Sequence, residues 1–579
     1  MTMRLFLIGL GAIAAVSSCA RKTEAPAPAP AVVADLVLKN GRIMTVSDDM
    51  AWAQAVAIKD GRIIAVGADE AVAPYVGADT RVDDLGGKFA MPGFIDQHVH
   101  TFFAGEEMLY ACRLQDSFSF EQVLAKISEC ADATPEGAWV RGGPWGSQLL
   151  PQLYKDTALK ALDVAAKGHP LIMRDDTAHN VIVNSAALAL IGYDETTPNP
   201  VKGEIYRDQQ SGKITGLLFE SAARAAHKAA PARPVEDNAA AVAKGVEVLN
   251  GFGVTSFLDA SAPPRVAEAY DHLDRANGLH ARAAITMSEG VLTVYSDESL
   301  EELVATRARF KSENVLPDYV KFFLDGIPPT YTARYLDPYL PTEKFGDHFY
   351  GDIYYSPEEL ARLVTKFDAS GATIKIHATA DGSVRAALDA FAAARKSNGD
   401  SGLPHQIAHA GYVHPDDRKR FGELGVIVDA CPTFWFPHPI VTAITWAVGK
   451  ERAYQYWPFR DLIDQSATIA LGSDWPVLPS PDPLLGLEGM VTRRDPTTNG
   501  AETLWADQAI TLAEAVRAAT INGAKALNLA AETGSIEVGK SADIIILDRN
   551  LFEGSPEEIS DAKVLRTLYR GDTVFEAKP

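Results

Sequence analysis

The sequence predicts an α/β protein: a TIM (β/α)8 barrel, a small β-sandwich built from both termini, and a large insertion after the first barrel strand. Eight short apolar runs alternate with helical stretches in the middle of the chain, as in a barrel of β/α units. Both ends of the chain are rich in short alternating strands. Roughly 150 residues separate the first two barrel runs, far more than a βα loop needs.

The first residues are typical of an exported protein. The stretch "MTMRLFLIGLGAIAAVSSCA" places Arg4 before an apolar run (5–16) that is too short to span a bilayer as a helix. Its end, VSSC (16–19), resembles a bacterial lipobox, which predicts a lipoprotein signal peptide over residues 1–19 and a lipid on Cys19. A plain secretory signal cut near the same place is the alternative.

The residues after Cys19 indicate where the anchored protein would lie. Residues 20–34 are polar and rich in Pro and Ala, as a tether is. Ala20 stands where enterobacterial lipoproteins of the inner membrane commonly have Asp. We therefore expect the periplasmic side of the outer membrane of a Gram-negative bacterium, with the lipid on Cys19 as the chain's attachment to the membrane.

The two ends of the chain predict one composite β-sandwich from residues 35–88 and 530–579. At the N-terminal end, "ADLVLKNGRIMTV" and "AVAIKDGRIIAVG" carry Asn40-Gly41 and Asp60-Gly61, which are strong hairpin turns. At the C-terminal end, "ADIIILD" and "KVLRTLYRGDTVFEA" form a similar pattern, with a turn at residues 570–572.

The barrel is predicted over residues 89–529. Its eight strands are expected in the runs "GFIDQHVH", "GVTSFLDA", "ARAAITM", "YVKFFLDG", "TIKIHA", "HQIAHA", "GVIVDACP" and "TIALGSD". In such barrels the reactive groups lie at the C-terminal ends of the strands. The interval 102–252, between the first and second runs, is predicted to be a cap over that end of the barrel.

Residues that bind metal or transfer protons recur at the predicted strand ends. His98 and His100 end "MPGFIDQHVH", and residues i and i+2 of a strand point to the same face. The other strand ends carry Lys321, His377, His409 and Asp474. Each residue alone has an ordinary structural explanation, but six of them at one end of a barrel predict a metal centre.

This set of residues resembles the metal-dependent amidohydrolase superfamily. It is most similar to amidohydrolase family 3, the branch that includes N-substituted formamide deformylases. The resemblance covers nearly the whole chain after the tether and rests on "PGFIDQHVH", "GAWVRGGPWG" (137–146), "VKFFLDG", "GSDWPV" (472–477) and "TGSIEVGKSADIIILD" (533–548). It implies a distorted TIM barrel with a β-sandwich made from the termini, and cleavage of amide C–N bonds other than peptide bonds.

The resemblance also implies which residues bind two divalent metal ions. His98 and His100 would bind the more buried ion, and His377 and His409 the outer one. Lys321 would react with carbon dioxide to give a carbamate that bridges the ions, because an ammonium group has no lone pair to offer. Burial beside "FFL" would lower the pKa of this amine enough for the reaction. Zinc is the expected metal, while manganese, iron and cobalt stay open.

The implied mechanism assigns Asp474 two roles, as a ligand of the buried metal and as a proton shuttle. A hydroxide held by the metals would attack the acyl carbon, and Asp474 would pass its proton to the leaving nitrogen. The alternative is a mononuclear site in which Lys321 only pairs with Asp474.

The cap is expected to select the substrate, a small organic molecule. Trp145, His179 and Glu220 fall in segments that the family directs towards the site. Tyr331, Trp475 and the stretch "TFWFP" (433–437) add aromatic residues near strand ends. These aromatics agree with an aromatic or apolar substituent on the substrate, although a packed core has the same composition.

Two departures from the family pattern put the substrate preference in doubt. Ala408 stands before His409 where the family usually has an acidic residue, and Cys431 stands where it often has Gln. Lactone or ester hydrolysis is an alternative function. A deaminase is another, but "HATADGSV" offers Asp381 and no glutamate. A third alternative is a lipoprotein that binds a ligand but has no catalytic activity, although all six predicted ligand positions carry the expected residues.

Charge and cysteine content limit the partners and the redox state. A net charge of −22 excludes nucleic acid as a partner, because phosphate binding needs a basic face. A homodimer is left open. Cys112 and Cys130 are close in sequence in an exported cap, so they form either a disulfide or two buried thiols. Cys431 has no evident partner.

Overall fold

The computed structural model describes residues 32–578, except for 177–178, 202, 289, 292–293, 435–438 and 499–501. The predicted signal peptide with Cys19, most of the tether and residues 435–437 of "TFWFP" lie outside the described residues. No helix in the described part of the chain is long and apolar enough to cross a membrane.

Eight parallel strands form the central sheet, in the order in which they occur in the chain. They are β1 Phe94–Val99, β2 Val254–Asp259, β3 Arg282–Met287, β4 Val315–Phe323, β5 Thr373–Ala378, β6 Gln406–His409, β7 Ile427–Ala430 and β8 Ile469–Leu471. Past the ends of β1 and β8, the Asp474 N–H donates to the His98 carbonyl (2.7 Å) and the His100 N–H to the Trp475 carbonyl (2.8 Å). These bonds join the first strand to the last, and the predicted barrel is confirmed.

The barrel strands are buried on both faces, as parallel strands under a layer of helices must be. Every residue of β1 and of β5 is buried. The surrounding helices are Val235–Gly251, Pro264–Arg275, Leu300–Thr306, Pro357–Ala369, Asp381–Asn398, Pro415–Leu424, Pro439–Val448, Lys450–Ala453, Phe459–Asp464, Pro483–Thr492, Leu512–Ala518 and Ile521–Ala526. Ser299, Ser356 and Thr511 each cap a helix N-terminus by accepting a backbone N–H.

Two sheets from the ends of the chain enclose a core that includes Leu38, Ile43, Ile58, Ile544 and Leu568. The first sheet has the order Arg62–Gly67, Ala55–Lys59, Leu36–Lys39, Arg81–Asp84. The second combines both ends of the chain, in the order Asp572–Glu576, Val564–Tyr569, Ile544–Leu547, Phe89–Pro92, Arg42–Met44, Trp52–Ala53. Short elements elsewhere are the strands Gly290–Val291 and Val294–Tyr295, the helix Asp69–Val72 and the 3-10 helices Ala73–Tyr75, Ser147–Leu149, Arg307–Phe310, Pro328–Thr330, Pro432–Phe434, Ala506–Gln508 and Pro556–Asp561.

One of the three predicted hairpins is wrong. The turns at 60–61 and 570–572 do join antiparallel neighbours. The strands on either side of Asn40-Gly41, however, enter different sheets. A two-residue type I′ hairpin needs positive φ at both central residues. Asn40 has φ 54°, whereas Gly41 is not in that region, so the chain turns a corner between the sheets instead of reversing.

The interval 102–252 holds a separate mixed sheet with the strand order Gly203–Arg207, Ile214–Glu220, Asn180–Val183, Leu171–Asp175, Val140–Trp145, Cys112–Arg113. Its helices are Phe120–Ala133, Leu150–Leu153, Asp156–Ala166, Ser185–Ile191 and Ala223–Ala229. The helices at the two ends of the interval, Thr101–Tyr110 and Val235–Gly251, contribute residues to the barrel core instead. Cys112 and Cys130 form a disulfide bond within the cap, and Cys431 is a buried free thiol.

Candidate metal centre

The six predicted ligand residues come together at the C-terminal end of the barrel. His98 lies in β1 and His100 directly follows it. The others lie in or just after four further strands: Lys321 in β4, His377 in β5, His409 at the end of β6, and Asp474 after β8. All six are buried and line one pocket with about 770 Å³ of space free of protein atoms. The closed barrel is what brings together residues separated by nearly 380 positions of sequence.

Three of these side chains have the spacing of donors around one metal ion. Oδ1 of Asp474 lies 3.4 Å from Nε2 of His100 and 3.6 Å from Nε2 of His98. Ligand atoms held tetrahedrally at about 2.0–2.1 Å from a zinc ion are about 3.3–3.4 Å apart. Two imidazole nitrogens and a carboxylate oxygen are also donors that zinc prefers. The donor set therefore fits a divalent metal ion.

Lys321 and the outer histidines lie next to this set. Nζ of Lys321 is 3.4 Å from Nε2 of His98. The His409 ring stacks on the His98 ring with centroids 4.8 Å apart, and the His377 ring lies 5.2 Å from the His409 ring. No ion pair in the described part of the chain joins Lys321 to Asp474. Lys321 and the two outer histidines therefore border the set formed by His98, His100 and Asp474.

Burial lowers the pKa of three of the four histidines in the predicted ligand set. It lowers the pKa of His98 well below its ordinary value and that of His409 to about 3. Burial also lowers the pKa of His377, although the hydrogen bond and negative charge of the nearby Asp325 raise it in part. Burial, reinforced by the positive charge of Lys375, lowers the pKa of Lys321 to about 7. The imidazoles of His98, His377 and His409 are therefore neutral at pH 7, and a sizeable fraction of Lys321 is a neutral amine.

Asp474 is the ionised member of the group. Burial alone would raise its pKa, but the neighbouring imidazoles of His98, His100 and His409 outweigh it and hold the pKa well below the ordinary value. The backbone of Asp474 has φ 55°, in the left-handed region, and the hydrogen bond to the His98 carbonyl fixes it there. Asp474 is thus a pre-positioned carboxylate beside two histidines.

A buried charge pair beneath the site orients His98, and sequence reasoning missed it. Oδ2 of Asp429 is 2.6 Å from Nδ1 of His98 and 2.6 Å from Nζ of Lys375. A carboxylate on Nδ1 fixes the tautomer that leaves the Nε2 lone pair free for a metal. Alternation along the strands could have indicated both residues, because Lys375 lies two positions before His377 and Asp429 lies within the apolar run of β7.

Two further carboxylates that sequence reasoning missed hold the site in place. Oδ1 of Asp325 lies 3.2 Å from Nδ1 of His377, and Oδ2 of Asp325 accepts from the Ser383 hydroxyl at 2.7 Å. Asp96 accepts from the hydroxyl of Ser473, directly before Asp474, at 2.6 Å. Both lie inside the motifs "VKFFLDG" and "PGFIDQHVH", where an acidic residue in an apolar strand is the signal that indicates them.

Of the four predicted substrate contacts, only His179 lines the metal pocket. Its ring centroid lies 6.0 Å from that of His377, and its Nδ1 is 3.0 Å from Oε2 of Glu220. Burial disfavours the charged imidazole, but the Glu220 carboxylate outweighs this effect and raises the pKa of His179 to about 9. His179 is therefore an imidazolium at neutral pH, paired with Glu220.

The other predicted contacts lie elsewhere. Glu220 and Tyr331 line a neighbouring cavity between the cap and the loop after β4. Trp145 is fully buried in the cap core, where its Nε1 donates to the Met173 carbonyl, so the prediction that Trp145 contacts the substrate is wrong. An apolar ring with one satisfied N–H is stable inside such a core. Trp475 is buried beside the barrel without lining the pocket.

Cys431 is closer to the centre than its sequence context indicated. It is fully buried, and its sulfur lies within 4.8 Å of a ring nitrogen of His98 and one of His409. Burial raises the pKa of its thiol well above the ordinary value. It is therefore a buried neutral thiol beside His98 and His409, in a position where the family often has an amide side chain.

Comparison with known proteins gives the family. The amidohydrolase family Amidohydro_3 matches residues 81–575. The chain belongs to this amidohydrolase family. An N-substituted formamide deformylase of Arthrobacter pascens is 30% identical over 94% of this chain and 98% of its own length. The protein LONG AFTER FAR-RED 3 of Arabidopsis thaliana is 28% identical over 95% of this chain and 93% of its own.

A solved structure agrees with this assignment. An uncharacterized metal-dependent hydrolase from Pyrococcus horikoshii has a TM-score of 0.71 and 26% identity, covering 90% of this chain and 99% of its own. The amidohydrolase is thus a member of the metal-dependent superfamily that its motifs resembled, and its fold and family support hydrolase activity.

Proposed function

We propose that this amidohydrolase uses two divalent metal ions, with zinc as the preferred metal, to hydrolyse the amide C–N bond of a small organic substrate. N-acyl and N-formyl amides are the first class to test. One observation carries the proposal: six buried side chains, four imidazoles, an amine and a carboxylate, converge on one pocket at the reactive end of the barrel. The 30% identity to a formamide deformylase supports the amide bond as the target.

The distances support the ligand set of the more buried ion. His98, His100 and Asp474 would hold the more buried ion, because their donor atoms already have the spacing of one coordination sphere. His377 and His409 would hold the outer ion. Such ions supply two effects when bound: they lower the pKa of a water molecule and polarise a carbonyl oxygen.

Lys321 would join the two ligand sets as a carbamate. In that reaction the neutral amine attacks carbon dioxide, a C–N bond forms, and one amine proton is released. The site favours the neutral amine, because burial and Lys375 lower the pKa of Lys321 to about 7. Its Nζ lies 3.4 Å from Nε2 of His98, and no ion pair among the described residues joins it to Asp474, although the mononuclear alternative requires one.

The protein's own side chains would then move the protons and bind the substrate. Asp474 is ionised and buried, so it can take a proton from a water molecule beside it and deliver the proton to the departing nitrogen. The imidazolium of His179 faces the same pocket and can stabilise negative charge that develops on the carbonyl oxygen. Ile327, Ile440 and Ile444 make part of the pocket wall apolar.

The position of Asp381 disfavours a deaminase. Its Oδ1 accepts from the Leu336 N–H, at the start of the helix Asp381–Asn398, and Asp381 does not line the metal pocket. Ester and lactone hydrolysis need the same groups as amide hydrolysis, so substrate tests distinguish them.

The proposed location depends on residues 1–34. We propose that the protein is exported and held at the outer membrane by a lipid on Cys19.

The experiment is a substrate screen on purified, zinc-loaded protein. We expect turnover of at least one N-acyl or N-formyl amide, loss of that turnover on removal of the metal, and its recovery on adding zinc. His100→Ala should abolish activity and lower the metal content, whereas His348→Ala, which removes an exposed histidine, should change neither. Turnover of esters or lactones alone would contradict the amide assignment. Full activity without metal would contradict the mechanism.

A further inference from the structure

A small cavity lies at the base of the cap, apart from the metal pocket. It has about 500 Å³ of space free of protein atoms and shares no lining residue with the metal pocket. Three arginines line it, Arg141, Arg174 and Arg233, and we call it the arginine pocket. The elements that form its walls are the helix Thr101–Tyr110, the cap strands Val140–Trp145 and Leu171–Asp175, and the segment 227–233.

Both connections between the cap and the barrel border the arginine pocket. The chain enters the cap after Tyr110, and Ala111 lines the pocket at that point. It leaves the cap through the segment that carries Ala230 and Arg233, directly before the barrel helix Val235–Gly251. A ligand in this pocket would therefore lie between the two connections.

Two of the three guanidinium groups pair with carboxylates that also line the pocket. Arg174 pairs with Glu107, and Nε of Arg233 lies 3.2 Å from Oε1 of Glu106. The Arg233 guanidinium also lies 4.4 Å from the centroid of the Tyr110 ring. Both carboxylates of the lining are therefore engaged by these two arginines.

Arg141 is the guanidinium of the pocket that has no carboxylate partner among the described residues. Its Nη2 donates to the Pro231 carbonyl, which is a neutral acceptor. Burial and the positive charges of Arg233 and Arg265 disfavour its charged form and lower its pKa, although Glu106 acts in the opposite direction. A guanidinium still keeps its charge at neutral pH. A partly buried cation that faces other cations is stabilised by a bound anion.

The remaining side chains of the lining do not cancel this charge. Burial, reinforced by the positive charge of Arg141, lowers the pKa of His227 to about 3, so its imidazole is neutral at pH 7. Three arginines and two glutamates thus leave the lining with one excess positive charge. The whole protein has a net charge of −22, which disfavours anions elsewhere on its surface.

The geometry of a guanidinium indicates the class of anion. Its N–H groups form a planar fork that matches two oxygen atoms of one anion, as in arginine–carboxylate and arginine–phosphate pairs. We infer that the arginine pocket binds a small oxyanion, a phosphate or a carboxylate group, on the guanidinium of Arg141. The bound anion would neutralise the excess charge between the two connections and so hold the cap against the barrel. The inference goes beyond the proposed function, because it requires neither a bound metal nor a substrate.

Isothermal titration calorimetry tests this inference. The probes are sodium phosphate and sodium acetate, added to purified protein at an ionic strength held constant with sodium chloride. We expect the wild type to bind at least one of the two anions, and the one that binds identifies the group. In Arg141→Gln the dissociation constant should rise at least tenfold, because the charged fork is lost. Arg362→Gln removes an exposed arginine outside the pocket and should bind like the wild type. Binding of neither anion, or equal binding by Arg141→Gln, would overturn the inference.

Two further measurements separate this pocket from the metal centre, which is the other place for an anion. His100→Ala removes a predicted metal ligand and no residue of the arginine pocket, so its dissociation constant should equal that of the wild type. Hydrogen exchange of the wild type, which needs no substitution, should slow in residues 106–111 and 227–233 when the anion is added. Loss of binding in His100→Ala, or slower exchange only around the metal pocket, would overturn the inference.

Discussion

Lys321 is the residue on which the proposed two-metal site depends most directly. Replacing it with Ala removes the bridge, so we expect activity to fall by about two orders of magnitude or more, and metal content to fall with it. Short carboxylic acids should restore part of the rate, because a free carboxylate can occupy the vacated position. The measurement is turnover of Lys321→Ala with and without added formate or acetate, at matched metal loading.

Lys321→Arg is the matched control. Its guanidinium fills the space and stays charged, so added acid should give no rescue. A lysine with only a structural role would behave differently, since its loss would lower the midpoint of thermal unfolding and no acid would restore turnover. Activity of Lys321→Ala equal to that of the wild type, without acid, would rule out the bridge.

His179 gives a pH dependence of stability whose sign follows from its pKa. Its pKa of about 9 in the folded state lies above the ordinary value of 6.5, because the Glu220 carboxylate outweighs burial. The contribution of the charged His179 to the free energy of unfolding is therefore complete below about pH 6.5 and is lost as the pH rises through about 9. We expect the difference in unfolding free energy between wild type and His179→Gln to shrink by up to about 3 kcal/mol over that range. Denaturant unfolding at several pH values measures it, and a constant difference would refute it.

Among the secondary-structure elements, the helix Thr101–Tyr110 connects the metal site to the packing of the barrel. A Cβ added at Gly105 would lie 1.8 Å from the carbonyl oxygen of Ala241 in the helix Val235–Gly251. The two backbones approach too closely for a side chain, so Gly105→Ala should separate the helices and cost about 2–4 kcal/mol. Because this helix begins directly after His100, metal affinity should fall too. Denaturant unfolding and metal titration provide the two readouts.

Gly251→Ala is the control for that substitution. It also lies in a helix, but its nearest neighbour would be a ring carbon of Phe575 at an ordinary 3.7 Å. We expect its stability to remain within about 1 kcal/mol of the wild type, with unchanged metal affinity. Equal effects of the two substitutions would show that the close helix approach has no special importance.

The disulfide fastens a strand of the cap to its first helix. Cys112 and Cys130 are 18 positions apart, and closing a loop of this size restricts the unfolded chain by about 3 kcal/mol. We therefore expect the double substitution Cys112→Ser with Cys130→Ser to lower the unfolding midpoint of the cap. Mass spectrometry of unreduced, digested protein should also find the two peptides linked. Free thiols at both positions would contradict the bridge.

At the scale of the whole molecule, the proposed lipid on Cys19 decides where the enzyme acts. Replacing Cys19 with Ser removes the lipid attachment site but leaves the barrel, the cap and the terminal sheets unaltered. We expect the variant to move from the membrane fraction to the soluble fraction while keeping its activity per molecule. Cell fractionation with an activity assay measures both, and a variant that stays with the membranes would contradict lipid anchoring.

The sequence by itself determined the barrel and which candidate ligand residues meet at its reactive end. Apolar runs such as "TIKIHA" predict buried parallel strands, and a closed barrel places the strand ends together, so the sequence predicts His98, His377 and Asp474 as neighbours. Such information is local: it depends on the alternation of residues along one strand and on a family pattern.

Only the tertiary structure decided the contacts between distant segments. Asp429, Lys375 and Asp325 support the metal site through atoms that meet across different strands, and no local pattern specifies which carboxylate reaches which imidazole. In the same way, Trp145 packs in the cap core, and the turn at Asn40-Gly41 crosses between two sheets. The physical reason is that burial and hydrogen bonding depend on the surroundings in three dimensions. The spacing of residues along the sequence restricts which segments can meet, but it does not determine which side chains come into contact.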